Sequence, residues 1–312
     1  MFAAEALMTT PPFVRTPDDR FRDLPGYAFA PHYLDWRGLR VHHLDEGPRD
    51  APVMLLLHGE PSWSYLYRRI VPRLVAAGYR CVAPDLVGFG KSDKVTDDAW
   101  YVIERHCETL RFLIEAKDLR RITLVCQDWG GPTGLRQAVD LPERFARLVI
   151  ANTWLHHDGF EYSPGIRAWR AAALDPAKLG GDMPIGRIVA GTLRRPGHDR
   201  EAVARAYDAP FDSLASKAGA RRFPFCIPFA EPEAGNAKDQ QRCFEALLRS
   251  PHPVHFAFGD ADEVFPWSWA ERWHARVPGS TLDRIAGAGH FVQEDAGDDL
   301  VDAILRRAGR AS

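Results

Sequence analysis

Several stretches of this chain run apolar with almost no interruption: PVMLLLHGEP (52 to 61), YRCVAPD, RITLVCQD, FARLVIANT and, much later, PVHFAFGD. Continuous runs of this length predict strands buried on both faces, as in a parallel sheet. Helical patterns separate them: SYLYRRIVPRLVAAG with Gly78 as its stop, WYVIERHCETLRFLIEAK, and GPTGLRQAVDLP. From about residue 52 to 153 strand and helix therefore alternate, which specifies a parallel sheet with right-handed crossovers. Two earlier segments, YAFAPHYLDW and LRVHHLDEG, have polar interruptions and predict antiparallel edge strands. The rhythm breaks after Trp154. Residues 155–228 hold helical pieces, many Pro and Gly and no convincing strand. It then resumes with helix KDQQRCFEALLRS, strand PVHFAFGD, helix WSWAERWHARVP, short strand STLDRIAG and closing helix DDLVDAILRRA. The expected architecture is α/β: a core from 1–154 and 229–312, with a mostly parallel central sheet flanked by helices, and a helical cap, 155–228, inserted after the sixth strand.

Composition narrows the function classes. Hydrophobic residues make up 46% and charged residues 26%, ordinary for a globular protein. The net charge of -2 and the lack of a basic stripe argue against nucleic acid as a partner. The five cysteines are scattered and form no C-x-x-C, so the pattern fits a reducing compartment and offers no metal-site spacing. His42-His43 and His156-His157 are adjacent pairs without the i, i+4 spacing of a helical zinc site. No apolar run approaches the length of a membrane span. The opening MFAAEALM is short and lacks a basic n-region, making it a poor signal peptide, and Met8 is an alternative start. A cytoplasmic monomer with no metal or organic cofactor is the expectation.

The chemistry concentrates in VCQDWGGPTG, residues 125 to 134. A strand leads in and a Gly-rich turn and helix lead out, the frame of a nucleophile elbow whose usual centre is Ser. Here the centre is Asp128, with Trp129 beside it. Ligands of open parallel sheets bind outside the carboxyl ends of the strands. Three further features fall there: HGEP (58 to 61), the pair Asp260 and Asp262 after PVHFAFG, and His290 in AGAGHFVQE. Singly, each has an ordinary explanation, such as helix cap, turn residue or strand exit. Together they make a nucleophile, an acid and a histidine, in an order that resembles the α/β-hydrolases. The backbone N–H groups of Glu60 and Trp129 are the candidates for an oxyanion hole.

A carboxylate is anionic at neutral pH and suits displacement of a leaving group from saturated carbon. Attack by Asp128 would give an alkyl ester. His290 would then deprotonate a water that attacks the ester carbonyl, with the downstream acid orienting the ring. Either a halide or an epoxide oxygen fits as leaving group. Epoxide opening requires acids, typically paired tyrosines, for which Tyr162 and Tyr207 are available. Halide departure requires only weak donors in a dry pocket, such as the indole N–H of Trp129. A binding protein without turnover is a third possibility. Haloacid chemistry would call for Arg beside the nucleophile, whereas Gln127 and Trp129 flank Asp128.

The motifs RTPDDRF, HYLDWRGLRVHHLDEG, LLLHGEPSWSYLYRR, APDLVGFGKSDK, ITLVCQDWGG, AYDAPF with AGARRFP, and AGAGHFVQE span nearly the whole chain. On them the sequence resembles the haloalkane dehalogenases of the α/β-hydrolase superfamily, in the branch with Glu in the HGEP turn and two halide-binding tryptophans. The resemblance implies hydrolysis of a haloalkane to a primary alcohol, halide and a proton. It implies Asp128 as nucleophile, His290 as base and Asp262, rather than Asp260, as acid. Asn152, where another branch carries its acid, is an amide. The halide-binding pair falls on Trp129 and on Trp169, in GIRAWRAAALDP. Phe223, Pro224 and Ile227 match residues that line the pocket. Trp154, in NTWLHH, departs from the pattern: it narrows the pocket, packs at the hinge or competes with Trp169 as halide donor.

Overall fold

Eight strands form one sheet in the computed structural model, which describes residues 10–308; the opening stretch ending at Met8 lies outside the described residues. In chain order they are β1 (His32–Trp36), β2 (Leu39–Glu46), β3 (Val53–Leu57), β4 (Arg80–Pro84), β5 (Ile122–Cys126), β6 (Phe145–Ile150), β7 (Val254–Gly259) and β8 (Thr281–Ile285). Across the sheet the order is β1-β2-β4-β3-β5-β6-β7-β8. The first two strands pair antiparallel and the remainder run parallel from β4 to β8, as the apolar pattern predicts. Every residue of β3, β4, β5 and β7 is buried, which is why these strands read as unbroken apolar runs. The Pro-bearing arm near the start is tied down by a short ladder, Phe13–Val14 against Lys94–Val95.

Helices α1 (Val71–Ala76), α2 (Ile103–Ala116) and α3 (Gly130–Asp140) fill the early crossovers. The helix expected over SYLYRRIVPRLVAAG is in fact two pieces, a 3-10 turn over Ser64–Tyr67 and then α1. Pro72 accounts for the break: it has no N–H for an i→i−4 bond, and its ring crowds the preceding turn. Between β6 and β7 lie α4 (Pro164–Leu174), α5 (Ile185–Thr192), α6 (Arg200–Asp208) and α7 (Ala218–Arg222), with no strand among the described residues. The Ser163 side chain caps α4 by accepting from Ile166 N, and Asp199 caps α6 by accepting from Ala202 N. Finally α8 (Ala237–Leu247), α9 (Trp267–Arg276) and α10 (Val292–Ala308) return to the sheet. α10 begins earlier than its apolar pattern suggests, two residues after His290, and is kinked at Ala296 (φ -145°). No helix among the described residues is long and apolar enough to cross a membrane.

One buried ion pair joins three sequence motifs. Arg68, from SYLYRR, makes a two-pronged contact of 2.5 and 2.6 Å with Glu294, from GHFVQE. Tyr207, from AYDAPF, donates to the same carboxylate at 2.9 Å. Arg68→Ala would leave the Glu294 charge buried without its partner. A loss of about 3–5 kcal/mol is expected, read as a lower urea midpoint with an unchanged slope. A midpoint within experimental error of wild type would contradict this account.

Candidate active site

Strand register brings the distant motifs together. Leu57 of β3 pairs with Cys126 of β5, Cys126 with Ile150 of β6, and Ile150 with Phe256 of β7. The carboxyl ends of four strands are thereby aligned, and the segments leaving them carry Glu60, Asp128, Asn152 and Asp262. Space at this point is tight. A Cβ on Gly59 would collide with the Asp128 carboxylate and come within 2.6 Å of Trp129 N. Only glycine lets the β3 exit approach so closely.

Asp128 occupies the left-handed region with φ 52°, a conformation that costs a non-glycine residue roughly 1–2 kcal/mol. Its surroundings hold it there. Its N–H donates to Asn152 O at 2.9 Å, and its carbonyl accepts from Gly131 N at 2.9 Å and Thr153 Oγ1 at 2.5 Å. The turn thrusts the side chain toward HGEP, where Oδ1 accepts from Glu60 N at 2.7 Å. The Trp129 N–H also favours the charged form of the carboxylate. The other oxygen, Oδ2, lies 3.7 Å from Nε2 of His290, whose Nδ1 lies 3.1 Å from Asp262 Oδ2. Asp260 faces elsewhere: it pairs with Arg284 and accepts from Gly287 N, both at 2.6 Å.

Electrostatics separate the two ends of this chain of contacts. Burial pushes the Asp128 carboxyl up to about 6, against the pull of His290 and the two N–H donors, so it is ionised at neutral pH. Burial works to lower the His290 pKa. The Asp262 carboxylate outweighs it, with Asp128 adding to the effect, and the net direction is upward. Glu60 is fully buried, with Oε1 unpartnered, and burial followed by repulsion from Asp128 raises its pKa well above the carboxylate range. Its side chain lines the cavity, a feature its sequence context does not reveal.

The cavity above Asp128 has an empty volume of about 460 Å³ including its mouth. Trp129, Trp154, Trp169, Ile166, Ile227 and Phe265 supply most of an apolar wall, joined by Ile188 and Thr192 of α5. No side-chain hydrogen bond among the described residues consumes the indole N–H of Trp129 or Trp169. Trp154 differs. Its ring lines the cavity edge-on to Trp129 at 4.7 Å, but its Nε1 is enclosed, turned toward the Tyr162 hydroxyl without reaching hydrogen-bond geometry. Phe223 and Pro224, expected in the lining, are not part of it, and Phe223 stands behind the wall. The Phe223 ring packs edge-on to Trp129 at 5.4 Å and against His106 at 4.7 Å, so it buttresses the tryptophan. The two candidate tyrosines do not meet. Tyr162 pairs with His156 Nδ1 at 2.9 Å and Tyr207 with Glu294, and neither lines the cavity. Among the described residues no three His, Cys, Asp or Glu side chains could hold a metal ion.

Other residues act here without a sequence signal. Asn152 donates to Asp262 Oδ2 at 2.9 Å and is locked by two bonds to Gly259. Gln127 Nε2 lies 3.3 Å from the His290 ring nitrogen and 3.2 Å from its carbonyl oxygen. Asp295 accepts from Gly289 N, Arg194 N, Arg195 N and His198 Nε2 at 2.7 to 3.0 Å, tying the segment after α5 to the loop that carries His290. A Cβ on Gly289 would strike the Thr192 carbonyl, so this contact also needs glycine.

A family model described as the alpha/beta hydrolase fold matches residues 52–297. A haloalkane dehalogenase of Mycobacterium marinum is 42% identical over 301 residues, covering 94% of this chain and 98% of that relative. One from Psychrobacter cryohalolentis is 39% identical over 302 residues, covering 94% and 97%. Among solved structures, the tetrameric haloalkane dehalogenase DpaA from Paraglaciecola agarilytica superposes with a TM-score of 0.86 at 35% identity, covering 95% of this chain and 98% of that one. With identities of this size over nearly its full length, the chain belongs to the haloalkane dehalogenases of the α/β-hydrolase fold.

Proposed function

We propose that Asp128, His290 and Asp262 carry out a two-step hydrolysis of the carbon–halogen bond of a haloalkane, yielding a primary alcohol, halide and a proton. Oδ2 of Asp128 attacks the halogen-bearing carbon, while Oδ1 remains with the N–H groups of Glu60 and Trp129. The ester so formed has its carbonyl oxygen already facing two donors, which stabilise the oxyanion when water attacks the carbonyl carbon. His290 takes the proton of that water through Nε2, and Asp262 balances the imidazolium through Nδ1. In this reading residues 155–228 act as a cap over a core of 1–154 and 229–312, and the enzyme works as a monomer in the cytoplasm. All five cysteines are free and buried, in keeping with a reducing compartment.

The observation that carries the halide reading over epoxide opening is the pair of unspent indole N–H groups in an apolar cavity, set against two tyrosines whose hydroxyls are engaged elsewhere. Trp129 and Trp169 hold the departing halide, which needs weak donors and little water. Trp154 contributes its ring as wall, its N–H being enclosed. Halide release from dichloro-, dibromo- and monohaloalkanes, with styrene oxide as counter-substrate, tests the assignment. Trp169→Phe should slow the halide-displacing step on the order of a hundredfold. Trp154→Phe and Tyr162→Phe should retain it within a few fold. If Trp154→Phe lost the step and Trp169→Phe kept it, the two tryptophans would exchange roles. Hydrolysis of styrene oxide in preference to every haloalkane would overturn the reading.

A further inference from the structure

Gln127 is fully buried beside the proposed nucleophile, and the mechanism above gives it no task. Its amide nitrogen carries two hydrogens. One is engaged by the main-chain oxygen of His290 at 3.2 Å, and the other leans on Nε2 of the same residue at 3.3 Å. The amide oxygen, Oε1, is buried with no partner. Turning the amide over would set Oε1 against the His290 carbonyl, two acceptors face to face, so the carbonyl fixes which end meets the ring.

The other groups around the ring favour the opposite proton state. Asp262 lies at Nδ1, and Asp128 lies 3.7 Å from Nε2 with Glu60 beyond it. Glu294 and Asp295 of α10 are turned away, to Arg68 and to Gly289 N. Phe265 and Phe291 pack on the ring at 5.2 and 4.7 Å. Both facing carboxylates favour an imidazolium, which cannot act as a base. Among the described residues, the Gln127 N–H directed at Nε2 is the one hydrogen-bond donor that, with burial, opposes protonation there. Being long and shared with the carbonyl, it biases the ring without filling the lone pair that must receive a proton from water.

We propose that Gln127 is a positioning residue for the hydrolytic step, its amide N–H keeping Nε2 of His290 bare so that the ring meets the ester intermediate as a base. The inference rests on the reading of His290 as the base. When the ring has taken the proton of water, the same N–H opposes Nε2–H and speeds its return to solvent.

The test separates the two steps by rapid-quench kinetics with 1,2-dibromoethane between pH 5 and 9. In Gln127→Met the acid limb of ester hydrolysis should move up by about one pH unit, so that hydrolysis at pH values well down that limb falls by almost tenfold while the plateau is retained. The bromide burst, which reports alkylation, should stay within about threefold of wild type at its own plateau. Gln127→Glu, of equal size, should move the limb further up and keeps the test open if the Met variant does not fold. In the wild type, ¹⁵N shifts of the His290 ring at pH 8 should place the proton on Nδ1. A limb that stays put in the folded variants, burst and hydrolysis falling by one common factor, or a proton on Nε2 would overturn the proposal. Failure of the underlying reading is distinguishable: wild-type hydrolysis would then show no acid limb, and His290→Phe would accumulate no ester.

Discussion

His290→Phe should stop the enzyme after one cycle, releasing one halide per site in a burst and then turning over slower by roughly 10⁴-fold. The intact protein should gain the mass of the alkyl group, and peptide mapping should place it on Asp128. Alkylation needs only the carboxylate and the halide donors, none of which the substitution removes. Hydrolysis needs a base within reach of the ester carbonyl, and the remaining polar neighbour on that side, Gln127, is an amide. The aromatic replacement suits the site, since the native ring already packs on Phe265 and Phe291. Turnover abolished with no adduct would contradict a covalent intermediate resolved by His290.

Asp128→Ala should abolish the burst itself, with halide release from dihaloalkanes slower by 10⁴-fold or more, roughly the loss seen when a nucleophile is deleted. The pair of variants thus brackets the mechanism: one retains the first step, the other has neither. Stability provides the control. Burial holds the folded pKa of Asp128 at about 6, above the ordinary value for an aspartate, about 3.9. The folded state therefore binds this proton more tightly, and stability falls as pH rises through that interval. At pH 8 the ionised group is a net cost, so the alanine variant should have a urea midpoint no lower than wild type. Native-rate halide release by folded Asp128→Ala would sink the assignment of the nucleophile.

The sheet was legible because its signal is local. Val53–Leu57, Ile122–Cys126 and Val254–Gly259 are buried on both faces, so each announces itself as an unbroken apolar run. Asp128, His290 and Asp262 were legible as strand-end punctuation, and the structure brings their side chains within 3.7 Å of one another in series. The side of the cavity that α5 supplies was not. Ile188 and Thr192 sit on a short helix flanked by Pro and Gly, where the helical period has little length in which to show. Which way a side chain faces was also hidden. Phe223 and Trp154 carry the same aromatic label, yet one stands behind the wall and the other in it, because neighbours distant in sequence claim their faces. Gln127, Asn152 and Asp295 use partners 163, 110 and 100 residues away, respectively, in their contacts with His290, Asp262 and Arg195. No spacing rule reaches that far.

The Asp295 contact draws two of its four donors from the main chain at Arg194 and Arg195 and a third from that of Gly289. A tie made by backbone amides does not depend on which side chains those positions carry. Substitutions at 194 and 195 can therefore leave the Asp295 tie in place even as they remove the bonds of the Arg194 side chain to Glu263 and of the Arg195 side chain to Ala286 O and Asp299, with proline barred for want of an N–H. Gly289 has no such latitude, because any side chain there would meet the Thr192 carbonyl before the tie could form.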